Sequence, residues 1–177
     1  TARFLLRTLY TEALDFLELP TAVYTNNHAG VYHHYFQHYI KRGVALELLD
    51  PQLRSFDLEK LGKALLPERD QQFTYLSLQT LYDRYFLHAD DVRFELPQAF
   101  FMRIAMGLAQ QESNKEDRAI EFYQLLSSFD YMASTPTLFN AGTLRPQLSS
   151  CFLTTVADDL DQIYSAIKDN ALLSKFA

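Results

Sequence analysis

The sequence predicts a mainly α-helical lobe that leads into the start of an α/β unit, on three observations. Apolar residues recur at helical spacing through most of the first 130 positions. Between Ser134 and Gln147 that period disappears, and the Thr135-Pro136 and Arg145-Pro146 steps, with an Ala141-Gly142 pair, read as loop. Beyond the loop, Leu148 to Thr155 gathers Leu, Phe and paired Thr in a short run that reads as a buried strand, and an amphipathic helix follows.

The elements follow in order. Leu5, Leu9, Ala13 and Phe16 mark one face of an opening helix, which the Leu19-Pro20 step should end. A second helix covers about 29–42, with Gly43 placed as its C-terminal cap. A short helix around Leu58 to Leu66 is closed by Pro67. Thr74 to Leu87 forms a longer one, with Leu78, Leu81, Tyr82 and Tyr85 on one face. Pro97 suits a first helical turn and opens a helix to about Gln111, while Asn114 caps another through about Phe129. In the tail, Asp158 and Asp159 precede Leu160, Ile163, Ile167 and Leu172, an amphipathic helix with an acidic start. Residues 1–132 therefore read as a helical lobe and residues 133–177 as the beginning of the α/β part. There is no internal repeat.

Composition narrows the function. With 48% hydrophobic and 21% charged residues the chain reads as folded rather than disordered. Its net charge is -6 and its Lys and Arg are scattered, which argues against a nucleic-acid polymer as partner, because phosphate backbones demand a concentrated basic stripe. No apolar run approaches the roughly 20 residues of a membrane span, and the first 17 residues mix charged and apolar types unlike a signal peptide. One cysteine, Cys151, has no partner for an internal disulfide, so a reducing cytoplasm is the expected setting. Neither end carries the cap or stop of a helix boundary, so the chain is expected to be an internal segment of a larger protein.

Few residues stand out as chemistry. A lone cysteine is most often a small buried hydrophobe. Cys151, however, follows Ser149 and Ser150 downstream of a hydroxyl-rich loop, where a thiol could meet a substrate. Ser134-Thr135-Pro136-Thr137 offers hydroxyls and free N–H groups that suit phosphate oxygens, and equally suits an ordinary turn. Of Asp158 and Asp159, one is expected to cap the following helix, leaving the other carboxylate free for a sugar hydroxyl. His34 and His38 stand at a zinc-compatible spacing beside His33, but Tyr32, Tyr35, Phe36 and Tyr39 make that helix an aromatic packing element, and no metal is assigned. The eleven tyrosines fall at helical spacing, so packing explains them better than radical transfer.

The run from Ala133 to Thr143 (Ala-Ser-Thr-Pro-Thr-Leu-Phe-Asn-Ala-Gly-Thr), followed by Gln147-Leu148-Ser149-Ser150-Cys151-Phe152-Leu153, resembles the substrate-site entry of ribonucleotide reductase large subunits. Thr74 to Tyr85 and Leu96 to Arg103 also look like the helical region of that family, so the resemblance covers most of the chain and is weakest before about residue 50. It implies that the tail is the first strand and helix of a ten-stranded α/β barrel, the catalytic domain. Thr135 would contact a ribonucleoside diphosphate, with Ser134 beside it and Ser150 lining the same site. Cys151 would be one of two cysteines that supply reducing equivalents and end as a disulfide. Asp158, Asp159 and Leu160 match the place where the family binds a deoxynucleoside triphosphate or ATP effector, with the helix from Leu160 at the dimer surface.

The resemblance further implies no cofactor bound in this chain, a radical supplied by a separate metal-containing small subunit, a thioredoxin- or glutaredoxin-like reductant, and a homodimer of large subunits. No second cysteine is present, so the radical cysteine and the disulfide partner would lie elsewhere in the parent, and the chain alone is expected to be inert. Two alternatives stay open. One is the adenosylcobalamin-dependent branch of the same enzyme class. The other is a non-catalytic helical module that binds a nucleotide or a protein partner.

Overall fold

Eight α-helices, two short 3-10 helices (Pro51–Ser55 and Pro67–Gln72) and one small hairpin make up the regular structure of the described part of the chain, residues 1–20 and 28–176 of a computed structural model. Helix α1 (Ala2–Phe16) packs on α4 (Tyr75–Arg84); α2 (His28–Ala45) packs on α3 (Leu58–Ala64). At the centre α5 (Pro97–Ala109) lies against α6 (Lys115–Ser127). Eleven of the thirteen α5 residues are buried, so this helix is wrapped on every side rather than amphipathic. Between α4 and α5, β1 (His88–Ala89) pairs antiparallel with β2 (Val92–Arg93). Asp90 and Asp91 both adopt positive φ there, the geometry of a tight two-residue turn. The sequence reading has no hairpin at this point, since two-residue strands are too short to show a period.

Several expected boundaries move. The buried face of α1 is Leu6, Leu9, Tyr10, Ala13 and Leu14, one position round from the expected stripe, leaving Leu5 and Phe16 at its margin. Gly43 does not cap α2 but lies inside it. A Cβ there would come within 2.5 Å of Leu49, so the residue is small for packing. The left-handed cap falls instead on Glu47 (φ 57°), with Leu48 N–H donating to Gly43 O and Glu47 N–H to Val44 O. The same pattern ends α1 at Glu18. Residues 21–27, which join α1 to α2, lie outside the described residues.

Two corrections concern the tail. Part of the expected loop, Thr135–Asn140, is a short helix, α7, because Pro136 falls in its first turn, where the missing N–H has no intrahelical acceptor to lose. The expected buried strand at 148–155 does not form. From Ser149 to Thr155 the chain is exposed and has no ladder, since no other strand lies beside it among the described residues. The last helix, α8 (Leu160–Phe176), begins where its acidic start places it. No helix among the described residues is long and apolar enough to cross a membrane.

The α2 tyrosines are buried, and each phenol has a partner. Tyr32 donates to Asp70 (2.9 Å), Tyr35 to Phe94 O and Tyr39 to Glu95. Asp70 is buried and also accepts from Tyr10 and from Gln98 Nε2 (2.7 Å), while Gln98 Oε1 accepts from Tyr123 (2.7 Å). One carboxylate thereby ties α1, α2, α5 and α6 together. Burial pushes the Asp70 carboxyl up to about 6, against three donors that favour the ionised form. A folded-state carboxyl that keeps its proton above the unfolded value contributes most below pH 3.8, and that contribution is lost as pH rises through about 6. The loss amounts to about 3 kcal/mol. Asp70→Asn stays neutral throughout, so its stability relative to the native chain should rise by up to this amount between pH 4 and 7. Urea unfolding of both proteins across that range measures the difference, and a constant offset would contradict it.

Candidate functional site

A charged side chain buried in a helix interior has to be satisfied by its neighbours. Arg103, fully buried on α5, is held by Glu95, also fully buried, with Nε 2.7 Å and a terminal nitrogen 3.3 Å from the two carboxylate oxygens. Glu95 accepts in addition from Tyr39 and from Leu87 N–H (2.9 Å). The remaining guanidinium donors reach the carbonyls of Leu138 (3.3 Å), Phe139 (3.3 Å) and Ala141 (2.7 Å). Arg103 thus fastens the C-terminal end of α7 to the core.

Glycine makes the close approach possible. A Cβ at Gly107 would fall 2.2 Å from Gly142 N, and Gly142 itself has φ 75° and lies against the Arg103 backbone. Asp50 N–H then donates to Gly142 O and Leu144 N–H to Leu48 O, so the chain after α7 is tied to the turn that follows α2. The sequence reading missed Arg103 and Glu95. The available signal was a lone arginine inside the unbroken apolar run Ala99-Phe100-Phe101-Met102-Arg103-Ile104-Ala105-Met106.

Fixing α7 builds one wall of a cleft. A cavity of about 310 Å³ is lined by Thr135, Pro136, Phe139, Asn140, Gln147, Ser149 and Ser150. Asn140 Nδ2 donates to Gln147 O (2.7 Å) and Thr137 Oγ1 to Leu148 O (3.4 Å), which folds the returning strip back onto α7. Thr135 and Ser150, fifteen positions apart in sequence, face one space. Ser134 stands at the N-cap position of α7, with Oγ 3.3 Å from Thr137 Oγ1. Cys151 is exposed beside the cleft, its Sγ 3.8 Å from Ser150 Oγ.

Asp158, Asp159 and Leu160 are exposed and are not among the residues of this cleft. Asp159 accepts from Gln162 N–H (3.1 Å) and so caps α8, leaving Asp158 as the other carboxylate of the pair. Among the described residues no group of three His, Cys, Asp or Glu side chains is arranged to hold a metal.

The structure therefore defines a mainly α-helical domain in which the short helix α7 presents the Thr135 hydroxyl to a cleft, with a free thiol beside it. A family model described as ribonucleotide reductase, all-alpha domain, matches residues 71–146. The chain is 49% identical over 177 residues to the ribonucleoside-diphosphate reductase subunit alpha of Chlamydia muridarum, covering 99% of this chain and 16% of that protein. It is 46% identical over 143 residues to the alpha subunit of Helicobacter pylori, covering 80% of this chain and 18% of that one. It is also 42% identical over 120 residues to the large subunit from Monkeypox virus, covering 67% and 15%. The chain belongs to the ribonucleotide reductase large-subunit family. It spans about a sixth of the length of these relatives.

Removing the Arg103 charge alone should leave Glu95 buried without its counter-ion. Arg103→Met is expected to destabilise the chain by about 3–5 kcal/mol, and Arg103→Met with Glu95→Gln by clearly less. Chemical denaturation measures both. Amide exchange at Leu138, Ala141 and Thr143 should accelerate in the single variant beyond the rest of the core.

Proposed function

We propose that this chain supplies one part of the substrate site of a ribonucleoside-diphosphate reductase. The observation that carries the reading is the shared cleft of Thr135 and Ser150 with the exposed Cys151 thiol next to it. In this reading Thr135, with Ser134 beside it, and Ser150 donate hydroxyl protons to the diphosphate of a ribonucleotide, whose oxygens are acceptors only. Cys151 is one of two thiols that reduce the sugar. Exchange of the 2′-hydroxyl for hydrogen takes two electrons and two protons. A thiol pair provides both, closing to a disulfide while the oxygen leaves as water.

The second thiol, the radical-forming residue and the later barrel strands belong to other parts of the parent. A separate metal-containing subunit generates the radical, and a thioredoxin- or glutaredoxin-like protein restores the dithiol. A reducing, cytoplasmic setting suits an exposed thiol that has to be recycled. This chain by itself is inert in this scheme.

The same reading places a deoxynucleoside triphosphate or ATP effector at Asp158, Asp159 and Leu160. Asp159 is already engaged as a cap, so Asp158 is the carboxylate free to accept from a sugar hydroxyl. Leu160, Tyr164 and Ile167 form an exposed stripe on α8 that suits a surface between two large subunits.

Two measurements on the full-length parent test these assignments. Cys151→Ser should abolish multiple turnover with the protein reductant while leaving diphosphate binding intact; retained turnover rejects the redox role. Asp158→Ala should weaken dTTP binding to the intact dimer, and unchanged affinity removes the effector assignment.

A further inference from the structure

The hydroxyl of Thr135 has a neighbour that the sequence pattern does not connect to it. Tyr85, at the end of α4, is fifty positions upstream, yet its hydroxyl lies 3.4 Å from Thr135 Oγ1. Three contacts hold the tyrosine in place. Its N–H donates to Leu81 O (2.9 Å), its ring stacks on Phe139 with centroids 4.5 Å apart and planes 14° off parallel, and the Phe100 ring meets it edge-on at 6.4 Å. Phe139 is itself a wall of the cleft. Tyr85 thus stands behind the cleft, fixed to its wall, with its polar end against the proposed substrate hydroxyl.

We infer that Tyr85 is a positioning residue that sets the direction of the Thr135 hydroxyl. The inference rests on the reading of Thr135 as a phosphate-binding residue. A threonine hydroxyl has one proton and can accept as well as donate. If Thr135 donates to Tyr85, its proton points away from the cleft and a lone pair faces the ligand, which an anion repels. If Tyr85 donates to Thr135, the Thr135 proton is released toward the cleft. Phosphate oxygens select the second arrangement and polarise the relay from Tyr85 through Thr135 to the anion. The 3.4 Å separation is long for an O–H···O bond and leaves room for the contact to tighten as the anion arrives.

The test is a double-mutant cycle on the full-length parent, reading the Kd for CDP and ADP and the turnover at saturating substrate. Tyr85→Phe keeps the stack on Phe139 and removes only the hydroxyl, so the melting temperature should stay unchanged. It should raise Kd about two- to tenfold, with saturated turnover little altered. Tyr85→Phe should have no added effect in a Thr135→Val background, yet retain its effect in a Thr135→Ser background, which keeps the hydroxyl. Normal binding by Tyr85→Phe when Thr135→Val binds weakly overturns the inference and leaves the Thr135 reading standing. Effects that multiply in the double variant also overturn it, because Tyr85 would then act independently of Thr135. Normal binding by Thr135→Val removes the substrate reading itself.

Discussion

A guanidinium excluded from water carries five N–H donors and a charge, and both have to be met inside the protein. At Arg103 the charge is met by Glu95, and the donors left over are met by backbone carbonyls at the end of a helix too short to hold itself. Six residues form little more than one helical turn, well below the length at which a helix is stable on its own. The position of α7, and with it the row of hydroxyls on its first turn, is therefore inherited from a buried ion pair in the lobe. Gly107 and Gly142 act on the same joint from the steric side, allowing backbone to meet backbone where any side chain would intervene.

The lobe contains a second buried carboxylate with different neighbours. Asp70 is bonded to two phenols and an amide, and burial raises its proton affinity. Glu95 faces a guanidinium, a phenol and a backbone N–H. Each site draws on one α2 tyrosine, Tyr32 for Asp70 and Tyr39 for Glu95, two helical turns apart, so a single face of α2 serves two polar networks. This accounts for the aromatic character of the helix. Its rings fill the core, the hydroxyls of Tyr32 and Tyr39 satisfy the enclosed carboxylates, and that of Tyr35 bonds the backbone at Phe94 and Leu96.

The helical lobe was legible because its information is local. Pro97 starts α5, Asn114 precedes α6 and Asp159 starts α8, each readable from a few residues. Features set by contacts across the chain were not. Gly43 reads as a cap until Leu49 is found packed against it, and Leu5 and Leu6 are equivalent to a periodicity until the core selects Leu6. Thr135 to Asn140 has a loop composition; Pro136 suits its first turn, and Arg103 meets the carbonyls at its far end. In the cleft, Thr135 and Ser150 could be named from the motif, whereas Tyr85 and Arg103 act through geometry that no spacing encodes.

The two walls of the cleft differ in what supports them. The α7 wall is anchored through Arg103, the Tyr85–Phe139 stack and the ties of Gly142 and Leu144 to the turn after α2. The other wall holds through Asn140 and Thr137 as far as Leu148 and then leaves the core, so that Ser150 and Cys151 stand in exposed, unpaired chain. Preorganisation therefore exists for the hydroxyl side of the site and not for the thiol side. For the anion binding proposed above this division is sufficient, because hydroxyl direction would select the anion. For reduction it is not, since a thiol has to be brought to one carbon within bonding reach and held there. Under the proposed function, the packing that would hold Cys151 is thus the structural requirement that separates binding of a substrate from its reduction.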